Sequence, residues 1–124
     1  MNKCHIIGRM TKDPEVRYTQ GGTAVATFTL AVDRRVAKDK PKEADFIPCV
    51  VWGKMADGVV KNYCHKGKQV AVEGRIQVRS YDAKDGTKRY VTEVIVNELE
   101  LLGKSEGGNK QGGGNYPTDD EIPF

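Results

Sequence analysis

The chain has 124 residues, of which 38% are hydrophobic and 30% are charged, and its formal net charge is +3 at pH 7. That length suits one folded domain and is too short for two ordinary ones. No apolar run approaches the roughly 20 residues of a membrane-spanning helix, and the first residues lack a secretory-signal pattern, so we expect a cytoplasmic protein.

Short apolar and β-branched segments separated by turn residues predict a chain made mainly of strands. The turns are marked by Asp13-Pro14-Glu15, Gly21-Gly22 and Asp85-Gly86. A polar loop over residues 33–44 is rich in bases. The predicted strands cover residues 3–9, 16–18, 23–32, 45–52, 69–81 and 89–102.

One segment, residues 53–65, has the apolar spacing of a helix, and Gly67 suits its C-terminal cap. Its main apolar stripe is Met55, Val59 and Tyr63, with Ala56 and Val60 beside it. Five main strands with one helix after the third predict an all-β protein, a five-stranded Greek-key barrel of the OB-fold type. An open sheet covered by the helix fits less well, because it leaves more strand edges exposed.

The composition changes after residue 102. Six of the fifteen residues from Gly103 to Pro117 are glycine. We therefore expect a folded domain over 1–102, a disordered glycine-rich linker over 103–118 and an acidic tip over 119–124. Residues 1–103 carry a net charge of +5 and the remainder carries −2, which suggests a polyanionic ligand for the folded part.

The tip has three acids followed by an apolar Ile-Pro-Phe ending. Burying that ending against the chain's own core would require the linker to be ordered, at about 1–2 kcal/mol per residue. We therefore expect the tip to bind another protein through a basic rim and an apolar pocket, rather than to be a frayed terminus. The predicted protein-interaction residues are Asp119, Asp120, Glu121, Ile122, Pro123 and Phe124.

The cysteines do not indicate a metal site or a disulfide framework. Their number, three, is odd, and no Cys-x-x-Cys occurs. In Cys4-His5 and Cys64-His65 the adjacent side chains diverge, so we expect no metal, no cofactor and buried reduced thiols. No phosphate-binding or nucleophile motif is present, so we expect no catalytic residue. A nucleophile at Cys64 or Cys49 is the enzymatic alternative.

Aromatic residues interleaved with lysine and arginine residues indicate a nucleic-acid ligand. Phe46 and Trp52 share one face of their strand, and apolar Ile47, Cys49 and Val51 on the other face can fill the core. We therefore expect Phe46 and Trp52 to face outward. Aromatic rings stack on unpaired bases for about 1–3 kcal/mol each, while lysine and arginine contact the phosphates.

Further aromatic and basic residues extend this pattern. Tyr81 follows Arg79 by two residues, and Tyr18 follows Arg17 directly. We expect Tyr63 and Tyr90 to be core or interface residues. Lys54 and Lys66 fit solvated helix ends as well as they fit a phosphate site. Val94-Ile95-Val96 is apolar on both faces of its strand, which suggests a subunit contact.

The chain resembles bacterial single-stranded DNA-binding protein, the SSB family, over essentially its whole length. The acidic tip completes this resemblance, and no single stretch carries it alone. The stretches that carry it are Asp13–Tyr18, Gly21–Ala26, Val50–Lys54, Lys66–Val70, Val72–Arg75 and Tyr90–Val96.

The resemblance implies a non-enzymatic OB-fold homotetramer that wraps single-stranded DNA without sequence preference in replication, recombination and repair. It also implies a nucleoid-associated location and a tip that recruits DNA helicases, nucleases, primosome proteins and recombination proteins. Another OB-fold module, either a primosome accessory or an RNA-binding domain, is the alternative; equal affinity for RNA and DNA would favour it.

The resemblance also implies roles for individual residues. Phe46, Trp52 and Tyr81 fall where the family stacks bases. Lys3, Lys54, Lys66 and Arg79 fall where it contacts phosphate, and we add Arg17, Arg34 and Arg35 as candidate phosphate contacts. Val36 stands where many members carry a further stacking tryptophan, and the linker is shorter than in many members.

Overall fold

The computed structural model describes residues 1–103, so the predicted tip and all of the predicted linker except Gly103 lie outside the described residues. The helix α1 covers residues 54–63; its middle, Ala56–Val60, is π-helical and its end, Lys61–Tyr63, is α-helical. Within residues 1–103, no helix has the length and apolar character needed to cross a membrane. The strands are β1 (Cys4–Met10), β2 (Glu15–Tyr18), β3 (Ala24–Asp33), β4 (Ala44–Trp52), β5 (Gln69–Asp82) and β6 (Lys88–Leu101).

The strands close into a barrel through β1. This strand pairs antiparallel with β5 along Cys4–Arg9 and then with β3 at Arg9 and Met10. The sheet order is β1-β5-β6-β4-β3-β2, so the β1–β3 pairing joins both sides of a five-stranded barrel and β2 extends the sheet beside β3. The pairing of β4 with β6 is parallel. The predicted OB-fold, with its helix after the third main strand, is confirmed.

The core follows the predicted strand alternation. In β3 the even-numbered residues from Ala24 to Leu30 are buried. Apolar residues of the other barrel strands meet them from the opposite walls, which gives each strand one inner face. The strand residues of this core include Met10, Phe28, Leu30, Cys49, Val51, Val70, Val72, Val94 and Val96.

The structure buries only part of the predicted apolar face of α1. Ala56 and Val60, predicted beside the main stripe, are fully buried, and Met55 is partly buried against the core, whereas Tyr63 is exposed. The two stripes have the same four-residue spacing, so periodicity does not separate them. In the structure the stripe of smaller side chains packs against the barrel.

The apolar residues on both faces of β6, Val94–Val96, are accounted for within the single chain. Val94 and Val96 are buried within the chain's own barrel, and Ile95 is half-buried. The inward-facing rows of β5 and β6 instead continue into the hairpin beyond the barrel, where Ile76, Val78 and Tyr90 are exposed. Tyr63 and Tyr90 were expected to be core or interface residues; both are exposed in the single chain, so they are not core residues, and a place in an interface stays a prediction.

We expect Gly74→Ala to destabilise the barrel. The strand register shifts at Gly74, and a Cβ there would lie 2.1 Å from the backbone oxygen of Ile95. Because backbone must move to relieve this clash, the free energy of unfolding in urea should fall by about 1–3 kcal/mol.

Gly58→Ala is the matched control. A Cβ at Gly58 meets no atom within 4 Å, and the residue is helical. Its free energy of unfolding should stay level or rise by up to about 1 kcal/mol. Equal stabilities for the Gly74 and Gly58 variants would show that the close approach at the bulge is unimportant.

Candidate nucleic-acid interface

The outer face of β4 carries an apolar strip of alternate residues. Phe46 is 65% exposed and Trp52 is 52% exposed, with Pro48 and Val50 between them. The intervening Cys49 and Val51 are buried, so the predicted outward orientation of both aromatic residues is confirmed. The two residues are six positions apart along the strand, which places their Cα atoms roughly 20 Å apart.

An open groove crosses the barrel beside this strip. Thr27 and Thr29 of β3 and Pro48 and Val50 of β4 line it. Arg79 of β5 and Glu93 of β6 line its other side, and the turn between β1 and β2 contributes Lys12, Asp13, Pro14 and Glu15. The structure therefore brings Arg79 to the same face as the β4 strip.

Tyr81 and Val36 are not among the residues that line the groove. Tyr81 lies near the end of β5, on the same face of that strand as Arg79, and is exposed. Val36 is exposed in the loop between β3 and β4. Its aliphatic side chain offers a base less stacking surface than an aromatic ring would.

Arg17 lies in the same cross-strand row as Trp52. Arg17 of β2 pairs with Val25 of β3, and Val25 pairs with Trp52 of β4. Two strand spacings therefore separate Arg17 from Trp52, which is about 10 Å. Arg17 also makes an exposed ion pair with Glu15 at 3.3 Å.

Three more of the predicted phosphate-binding residues form ion pairs. Lys3 lies 3.5 Å from Glu73. Arg34 bridges Glu43 at 2.8 Å and Asp45 at 2.7 Å, and hydrogen bonding to Asp45 is the main cause of its raised pKa. Arg79 donates from Nε to Glu93 Oε1 at 2.7 Å. These carboxylates already neutralise cations that the sequence suggested were available to DNA.

Arg35, Lys54 and Lys66 form no ion pair within residues 1–103. Lys54 follows Gly53, whose φ of 82° favours glycine and turns the chain directly after Trp52. Lys66 is fixed by its backbone, since its N–H donates to Asp13 Oδ1 at 2.8 Å. That bond joins the β1–β2 turn to the loop before β5.

Tyr18 links β2 to α1. Its hydroxyl donates to Asp57, and Lys61 Nζ donates to the same hydroxyl at 3.0 Å. Lys61 Nζ also lies 5.4 Å from the centre of the Tyr18 ring. These contacts give Tyr18 a structural role that the sequence order Arg17-Tyr18 did not indicate.

Sequence reasoning missed Glu93, which is 5% exposed and is the only charged residue buried within residues 1–103. It is an acid between apolar Val91 and Ile95 on one strand face, and Gln77 lies opposite it in β5. An acid at such a position requires a cationic partner, and the hairpin register supplies Arg79 on the neighbouring strand. The position of an acid on an apolar strand face next to Arg79 would have indicated this pair once the hairpin pairing was known.

The cysteines are free thiols, and Cys49 and Cys64 are buried. Burial raises the pKa of Cys49 to about 12 and that of Cys64 to about 11. Both side chains are therefore protonated at neutral pH, whereas the thiolate is the nucleophilic form. This geometry disfavours the enzymatic alternative.

The sequence model described as the Single-strand binding protein family matches residues 1–102. A single-stranded DNA-binding protein of Clostridium tetani is 60% identical over 115 residues, which are 92% of this chain and 77% of that protein. Single-stranded DNA-binding protein 3 of Clostridium acetobutylicum is 53% identical over 135 residues, 98% of this chain and 93% of that one.

A solved structure described as the Plasmodium falciparum SSB complex with ssDNA is also similar, with a TM-score of 0.74 and 27% sequence identity. The match covers 82% of this chain and 95% of that chain. The chain belongs to the Single-strand binding protein family, a family of non-catalytic DNA-binding proteins. The resemblance seen in the sequence is thereby confirmed.

We expect Cys49 to make the free energy of unfolding depend on pH in the alkaline range. Its pKa is raised from 9.0 to about 12, so its contribution is complete below pH 9 and is lost as the pH rises from about 9 to 12. Between pH 8 and pH 10, the free energy of unfolding should fall by about 1 kcal/mol more in the unmodified chain than in Cys49→Val. Parallel pH profiles for the two proteins in urea titrations would contradict the assignment.

Proposed function

We propose that the chain binds single-stranded DNA without sequence preference. The observation that carries the proposal is the pair of exposed aromatic residues on β4, Phe46 and Trp52, which lie on the outer face of an OB-fold barrel beside an open groove. A folded domain has no internal use for two half-exposed aromatic rings at either end of one strand. The family and the DNA-bound structural neighbour support the same conclusion.

In this proposal, bases stack on Phe46, Trp52 and Tyr81. Every base has a π-face, so stacking does not discriminate among sequences. Arg35, Lys54 and Lys66, which form no ion pair within residues 1–103, contact the phosphates. Because each such contact releases counterions, affinity falls steeply with salt.

Three of the paired cations also contribute to phosphate binding. Arg17, Arg34 and Lys3 make ion pairs whose cationic side chains are at least half exposed. Exposed pairs contribute about 0–1 kcal/mol, so a phosphate can replace the carboxylate partners of Arg17 and Arg34 at little cost.

We propose a homotetramer as the working form. Val78 lies opposite Thr92, and Ser80 lies opposite Tyr90, so exposed Ile76, Val78 and Tyr90 form one apolar patch on the β5–β6 hairpin. A patch of three large apolar side chains is typical of a contact with another subunit. This patch replaces Val94–Val96 as the basis for expecting self-association.

We further propose that the chain protects single-stranded DNA in replication, recombination and repair, in the cytoplasm at the nucleoid. Residues 1–102 bind the DNA, residues 103–118 serve as the linker, and the tip over 119–124 recruits DNA helicases, nucleases, primosome proteins and recombination proteins. The sequence of the tip supports this role, since it joins three acids to one aromatic anchor.

We expect Phe46→Ala to weaken binding of oligo-dT by about 5- to 100-fold, because it removes one stacking platform. Tyr63→Ala is the matched control, since Tyr63 is 62% exposed but lies on α1, away from the strip. Binding is read from quenching of Trp52, the only tryptophan. Equal losses in both variants would place the platform elsewhere, as would an absence of quenching when a second method shows that oligo-dT is bound to saturation.

Deletion of residues 119–124 should leave the affinity for oligo-dT unchanged or slightly higher, because it removes three acids. The same deletion should abolish capture of helicases and nucleases from a nuclease-treated bacterial lysate. Phe124→Ala should lose most of that capture, since it removes the single large apolar anchor. Recovery of the same proteins by full-length and truncated baits would refute recruitment by the tip.

A further inference from the structure

The Arg79–Glu93 pair differs from the other ion pairs of residues 1–103 in its burial. The Glu93 side chain is 6% exposed, whereas the other paired carboxylates are 20% to 64% exposed. The Arg79 side chain is 54% exposed and lines the groove. The pair therefore joins an exposed cation to a buried acid.

This difference decides which arginines a phosphate can take. At Arg17 and Arg34 the acid left behind is exposed and is stabilised by water. At Arg79 the acid left behind would be a buried carboxylate without its cation, which is among the most costly arrangements in a protein. A phosphate that draws Arg79 away must offset that cost, and one exposed charge pair does not.

Resting on the proposed function, we infer that Glu93 is a positioning residue that withdraws Arg79 from phosphate binding. The pair leaves the groove side of β5 and β6 with no net charge, next to the apolar strip of β4. A neutral side of the groove favours the face of a base over a phosphate. The phosphates then contact Arg35, Lys54 and Lys66, which form no ion pair within residues 1–103 and do not line the groove.

The Arg79–Glu93 pair affects the salt dependence of DNA binding in a distinctive way. For single strands, the slope of log affinity against log salt changes by about 0.7 for each phosphate neutralised. Arg79 contributes nothing to that slope if Glu93 keeps its charge cancelled. Removing the carboxylate charge alone frees Arg79 and adds one phosphate contact.

The experiment measures this slope by Trp52 quenching with oligo-dT of about 10 nucleotides, a length suited to one OB domain. Arg79→Gln with Glu93→Gln removes both charges and keeps groups that hydrogen-bond. We expect this double variant to retain the slope of the unmodified chain. Lys54→Gln, which removes a cation without an ion pair in residues 1–103, should reduce the slope by about 0.7.

Glu93→Gln alone should steepen the slope by about 0.7, a further fivefold loss of affinity per tenfold rise in salt. A double variant whose slope falls by about 0.7, or an unchanged slope in folded Glu93→Gln, would overturn the inference. If Glu93→Gln does not fold, as judged by circular dichroism, the double variant decides alone. Failure of the unmodified chain to bind oligo-dT would instead refute the proposed function.

Discussion

The pairing of β4 on both of its edges is the constraint on which the rest of the interface depends. Its residues pair with β3 from Ala44 to Trp52, and Cys49 to Val51 also pair with β6. A slip of one residue would turn Cys49 and Val51 outward and Phe46 and Trp52 inward. The barrel core thus fixes the direction of the aromatic rings without any contact made by the rings themselves.

Ion pairing then determines which lysine and arginine side chains can bind a polyanion. The net charge of the folded part is only +5, but its cations are not equivalent. Some form no ion pair within residues 1–103, some are paired with exposed acids that a phosphate can replace, and Arg79 is held by a buried acid. The side of the groove formed by β5 and β6 is therefore neutral, and Arg35, Lys54 and Lys66 lie outside the groove lining. In the proposed function, this distribution separates phosphate binding from base stacking.

The sequence predicted the features that depend on local chemistry. Turn residues located the hairpins, and the alternation in β4 was sufficient to orient Phe46 and Trp52, because strand period and apolar pattern agree there. The buried stripe of α1 was not predictable, because two neighbouring stripes share one spacing. The Arg79–Glu93 pair and the Tyr18–Asp57–Lys61 contacts join separate elements, so they depend on register and packing that composition does not specify.

The central claim is that bases lie on the outer strip of β4, and photochemical cross-linking tests it most directly. Oligonucleotides carrying 5-iododeoxyuridine are bound, irradiated and mapped by mass spectrometry of the peptides. The account predicts adducts at Phe46 and Trp52, with Tyr81 as a further site. Adducts confined to Tyr63 or Tyr90, which are similarly exposed but lie away from the strip, would contradict it.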